Sequence, residues 1–116
     1  MAGGVPVRVY SVHLGTIVEI TPAKRRDQVA AILADADRFE RVVVIGDLNS
    51  WAVGTLFEER GFLWLTRGEG RTFGPFAWDH IFLRGLRPRP ADATGVVRNN
   101  LRASDHKPVW GALSLD

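Results

Sequence analysis

The side chains in this sequence best suited to move a proton or hold a cation fall at four places: His13, Asp47 with Asn49, Asp79 with His80, and Asp105 with His106. Carboxylate and amide oxygens are hard ligands that suit Mg2+ or Mn2+ better than zinc. A histidine beside an aspartate can act as a general base whose tautomer and ring direction the carboxylate fixes. Together these residue types describe metal-assisted hydrolysis, and cation charge combined with arginine favours a phosphate ester as substrate. Each residue also has a plainer reading. Gly46, Asp47 and Asn49 are ordinary turn residues, Asp79 before an apolar strand can be a turn acceptor, and Asp105 can sit in a solvated loop. A lone strand-end histidine is more often a surface residue than a catalyst. The adjacent Ser104, Asp105 and His106 do not form a hydrolase triad. Successive residues of an extended chain point in opposite directions, and no Gly-x-Ser-x-Gly elbow is present.

The elements that must position these groups can be read from the apolar pattern. VVVIGDLNS at 42–50 reads as a strand buried on both faces that stops at a glycine and presents Asp47 and Asn49. Residues 5–14 alternate as a strand, with Val5, Val7, Val9, Ser11 and His13 on one face. Thr21-Pro22 supplies an N-cap and a first helical residue, and Val29, Ile32, Leu33 and Ala36 recur at helical spacing, predicting a helix over 22–38. Strand, helix and strand make a β-α-β unit with two parallel strands. Further on, the pattern predicts a short helix at 54–60 and a weaker strand at 62–66. It also predicts strands at 78–84 and 93–97, a polar loop at 98–107 and a last strand at 108–115. The expected class is α/β or α+β: a mixed β-sheet with helices on at least one face. Ligands of open α/β sheets bind beyond the carboxyl ends of strands. His13, Asp47 and Asn49 lie at such ends. Asp79 and Asp105-His106 lie at strand beginnings, so they share that edge only if their strands run antiparallel to the first two.

The totals set outer bounds. A chain of 116 residues suits one domain, and without cysteine it has neither disulfides nor thiolate metal sites. No apolar run is long enough to span a membrane and no secretory signal is visible, so a soluble, cytoplasmic protein is expected. The net charge is only +2, yet thirteen of the fifteen basic residues are arginine, which suits bidentate contact with phosphate. Codon bias accounts for such an excess equally well.

SVHL at 11–14, R-x-x-Q at 25–28, GDLN at 46–49, TF at 72–73, DHIF at 79–82 and SDHKPVW at 104–110 occur in one order along the chain. In these pieces the sequence resembles the C-terminal half of the endonuclease/exonuclease/phosphatase superfamily, the deoxyribonuclease I-like proteins. The resemblance implies Mg2+- or Mn2+-dependent phosphodiester cleavage by in-line attack of water, with a nucleic acid or other phosphoester as substrate. It casts His106 as general base and Asp79 as the carboxylate that orients it. Asp47 and Asn49 flank the scissile phosphate, His13 hydrogen-bonds it, and Asp47, Asn49 and Asp105 form the metal and phosphate site. His80 receives no role. The alternatives are a weak or inactive fragment that binds metal or nucleic acid without turnover, and a phosphoesterase acting on lipid or small molecules.

The resemblance leaves out the half of the family that supplies a Gln-Glu metal ligand; the early carboxylate of this chain is Glu19. In that family two sheets pack face to face inside outer helices, a four-layer sandwich. The chain is therefore expected to be a single truncated domain, 1–116, carrying one such sheet. A face left open by the missing half would exceed the ~300–600 Å² patch usual for a monomer, so a homodimer through that face is expected.

Overall fold

The computed structural model describes residues 4, 6–15, 21–99 and 104–114. Val5, Glu19 and Leu115, which entered the expectations above, lie outside the described residues. Strand β1 (Val7–His13) leads to helix α1 (Pro22–Ala36), strand β2 (Arg41–Asp47) and the short helix α2 (Gly54–Glu59). Strands β3 (Leu63–Trp64) and β4 (Asp79–Arg84) complete a four-stranded sheet of order β1-β2-β4-β3. β1 and β2 are parallel, whereas β4 runs antiparallel to both β2 and β3. The sheet is therefore mixed, and the antiparallel condition on Asp79 is met.

Helix α1 starts where its sequence says it should. Thr21 is extended, its hydroxyl accepts from the Lys24 N–H at 3.2 Å, and Pro22 follows as the first helical residue. Val29, Leu33 and Ala36 face the sheet, and with Phe57 of α2 they pack on Val42, Val44, Trp64 and Phe82. Phe57 stacks on Phe82 with ring centroids 4.3 Å apart. Alternation along the strands puts Val43, Ile45, Ile81 and Leu83 on the opposite face.

The remaining segments are shorter than the pattern predicts. The expected strand at 62–66 is regular only over Leu63–Trp64: the Leu65 N–H still donates to Ile81 O, but it is the Thr66 hydroxyl that accepts from the Ile81 N–H. The expected last strand at 108–115 is two pieces. β7 (Val109–Gly111) pairs with β6 (Thr94–Val96), and β8 (Leu113–Ser114) pairs with β5 (Arg87–Pro88). Ala112 divides them, donating to Ala93 O and accepting from the Arg89 N–H. These small ribbons cover part of the face away from the helices: Gly111 sits against Leu65 and Ile81, and Ile81 and Leu83 are buried. On this face Val43 and Ile45 of β2 stay half-buried, and on the outer strands Val9 is 59% and Leu63 47% exposed.

Candidate active site

Strand register brings the first three polar groups together. His13 pairs with Asp47 across β1 and β2, and Asp47 pairs with Asp79 across β2 and β4. The three side chains therefore lie side by side at one end of the sheet, on the face away from the helices. His13 Nε2 is 3.5 Å from Asp47 Oδ2, with the imidazole largely in solvent and the carboxylate mostly buried.

Gly46 allows this close approach. Its φ is +145°, and a Cβ there would stand 2.0 Å from the carbonyl oxygen of Val12 on the neighbouring strand. Beyond the strand, Asp47 Oδ1 accepts from the Asn49 N–H at 2.9 Å, with Asn49 in the left-handed region at φ 49°. Oδ1 thus closes the turn, while Oδ2 faces both His13 and His106. The turn is docked by Leu14 N donating to Asp47 O and Leu48 N donating to Trp78 O.

His106 arrives from outside the sheet through a single backbone bridge to Phe73. Its Nδ1 lies 2.6 Å from Asp79 Oδ2, while its Nε2 lies 3.5 Å from Asp47 Oδ2. A carboxylate only accepts, so neutral His106 carries its proton on Nδ1 and turns the Nε2 lone pair toward Asp47. Partial burial pulls the imidazole pKa down. The hydrogen bond that Nδ1–H donates to Asp79 and the charges of Asp79, Asp47 and Asp105 together outweigh it, and the pKa stands above the ordinary histidine value. The Phe73 ring packs on the imidazole with centroids 4.6 Å apart.

Of the residues expected from sequence, the structure gathers Asp47, Asp79, His106 and, at the rim, His13. Asn49 is beside them but is 3% exposed, and its amide donates to Leu14 O at 2.6 Å. Its side chain holds the end of β1, a different task from the expected donation to a phosphoryl oxygen. Asp105 is exposed and acts on His106 as a neighbouring charge. The ligand set implied by resemblance, Asp47, Asn49 and Asp105, thus differs from the group the fold assembles. His80 points to the helix side, buried, where Nδ1 accepts from Trp64 Nε1–H and Nε2–H donates to Ala77 O.

Other residues support the site without having been assigned to it. Thr72 is buried, and its hydroxyl accepts from the N–H groups of both Trp78 and Asp79, fixing the start of β4. Arg25 Nε donates to Gly15 O, and Gly15 N donates to Gln28 Oε1, which pins the chain just after His13. The i,i+3 spacing of Arg25 and Gln28, which places both on one helix face, was the available signal.

Ligand atoms of Asp47, Asp79 and His106 lie within 4.8 Å of one another. Two carboxylates in a half-buried cleft fit Mg2+ or Mn2+, ions commonly held by one or two carboxylates together with water and substrate phosphate. Asp47 is the better ligand of the two, because Asp79 is committed to His106.

No protein-family model and no curated protein sequence matches the chain. Among solved structures it is similar to a chain from Enterococcus faecalis V583, described as a functionally unknown conserved protein. The TM-score is 0.72 at 20% identity, over 91% of this chain and 49% of that one. The likeness is one of fold, and this chain spans about half the length of that structure. No helix among the described residues is long and apolar enough to cross a membrane.

Proposed function

We propose that the protein is a Mg2+- or Mn2+-dependent phosphodiester hydrolase, most plainly a nuclease, of the deoxyribonuclease I-like kind. The observation that carries the reading is the 2.6 Å contact between His106 Nδ1 and Asp79, made at a strand end where Asp47 and His13 lie in register. In this reading Asp79 fixes the imidazole so that Nε2 takes a proton from the attacking water. General-base catalysis of this sort is worth about 10²–10⁴-fold. A bound divalent cation adds charge stabilisation at the phosphoryl oxygens and lowers the pKa of water. Asp47, held by the Asn49 N–H, supplies a carboxylate oxygen to that cation. His13, largely exposed beside Asp47, donates to the phosphate. Asn49 and Thr72 act as positioning residues.

Hydrolysis of bis(p-nitrophenyl) phosphate with Mg2+, Mn2+ or EDTA tests the reading. Metal-dependent release of p-nitrophenol that EDTA abolishes, and that exceeds release from the monoester, is expected. No turnover with either metal, or a preference for the monoester, would refute it.

A further inference from the structure

Beside His106 lies a cavity of about 370 Å³ lined by Gly70, Arg71, Gly74, Arg98 and Lys107. Among the described residues its lining holds three cations and no carboxylate. Arg98 is fixed in place, donating from Nη1 to Arg71 O and from Nη2 to Glu69 O, so its charge stays at the wall. Lys107 follows His106 directly, and its N–H donates to Thr72 O at 2.6 Å. Such a concave, one-signed surface takes an anion of phosphate size.

The same loop displays aromatic rings. Gly74 and Pro75 form a tight turn in which Phe73 and Phe76 exchange backbone hydrogen bonds of 3.0 and 2.8 Å. Phe76 stacks on Trp78 at 4.5 Å and 13°, and Trp78 stacks on Phe73 at 5.1 Å and 12°. The run of rings ends on His106, while Phe76 at the outer end remains 43% exposed. An exposed ring held rigid by a neighbour is a platform for one more flat ring. Fixed cations for phosphate next to a stacking platform for bases are the two parts of a single-strand binding surface. In a duplex the base faces are covered by their neighbours, and the platform has nothing to take.

We infer that the loop 70–76 with Arg98 and Lys107 forms a binding surface for unpaired nucleic acid. A base stacks on Phe76 and the flanking phosphates lie against Arg71, Arg98 and Lys107. The assignment rests on the phosphodiesterase reading of the adjoining site, and it makes unpaired nucleic acid the substrate class of that site.

The test is fluorescence anisotropy of a labelled short oligothymidylate, with EDTA present so that no hydrolysis enters, against a duplex of equal length. The single strand should bind more tightly, with a log–log salt slope of about −2 for three phosphates. Phe76→Ala should weaken binding about 5- to 150-fold, while Phe76→Tyr, which keeps the ring, should retain it. Arg71→Ala and Lys107→Ala should each flatten the slope by about 0.7. Equal or tighter duplex binding, or a Phe76→Ala variant that binds as the parent does, would overturn the inference. So would equal Phe76-dependent binding to phosphatidylglycerol vesicles, which would make the surface a lipid site. Binding as described by a protein that hydrolyses no diester would leave this surface standing and remove the hydrolase reading. Turnover with a duplex preference would do the reverse.

Discussion

Replacing Gly46 with alanine should unfold the site and much of the sheet with it. The residue sits at φ +145°, a region that costs a side-chain-bearing residue about 1–3 kcal/mol. The added Cβ would lie 2.0 Å from Val12 O and 2.9 Å from Val12 C and N, all backbone atoms that no rotamer change can move. Relief requires β1 to separate from β2, which breaks ladder hydrogen bonds around Val12 at about 1 kcal/mol each. Two such bonds and the strain give a loss of about 3–5 kcal/mol, a large part of the ~5–15 kcal/mol that holds a domain folded. Urea unfolding followed by tryptophan fluorescence measures it, and the fall in Tm should be about 10 °C or more. Gly68 is the control: a Cβ there meets nothing within 4 Å, so Gly68→Ala should stay within about 0.5 kcal/mol of the parent. A loss at Gly46 below about 1 kcal/mol would refute the strand contact as described. Because His13 and Asp47 are neighbours only through this pairing, any folded Gly46→Ala protein should also lose turnover.

Other expectations follow from the same geometry. In Asp79→Asn the charge that does most to hold His106 up is gone and a neutral acceptor takes its place, while partial burial remains, so its NMR titration should move to lower pH even with Asp47 and Asp105 still present. Turnover should drop by up to about 10⁴-fold; an unmoved or raised titration would contradict the dyad. His80 has its pKa lowered, first by burial, against smaller opposing effects of Ala77 O and Asp79. Its contribution to stability is complete above the ordinary histidine value and is lost as pH falls, because the unfolded chain takes up a proton that the buried ring resists. His106 has the opposite sign: its contribution is present below that value and is lost as pH rises through the folded pKa. A His106→Asn variant should therefore show a urea midpoint that falls between about pH 8 and 5, and a rising midpoint would contradict the assignment. Thr72→Val strands the N–H groups of Trp78 and Asp79 and should cost about 1–3 kcal/mol in the same melts; a neutral result would show that those groups find other partners. If two copies meet through the face that carries Val9 and Leu63, sedimentation at micromolar concentration should give a dimer. A lone 12.8 kDa species would rule that out.

Much of the scaffold is legible because local signals and burial agree. The Thr21-Pro22 start, the 3.6-residue apolar period of α1 and the continuous apolar run of β2 each lead to the element observed. The approach of His13, Asp47 and Asp79 is legible one step further, from strand ends and the requirement that β4 run antiparallel. What the sequence hides is set by contacts distant along the chain. Asn49 has the composition of a phosphate donor, but its amide turns inward because Leu14 O needs a partner. Asp105 and His106 are adjacent, yet only His106 enters the cleft, held by Phe73 and Asp79. The single last strand divides because Gly111 packs on Ile81 while its neighbours pair with two separate ribbons. Loops whose shape depends on such partners carry no periodic signal.

The most direct test of the oriented-base site is nicking of a circular single-stranded DNA by the parent and by His106→Ala, purified in parallel, with Mg2+, Mn2+ or EDTA. The proposed chemistry predicts metal-dependent nicking that EDTA abolishes and that falls about 10²–10⁴-fold in the variant. Equal nicking by parent and variant, or none with either metal, would contradict it.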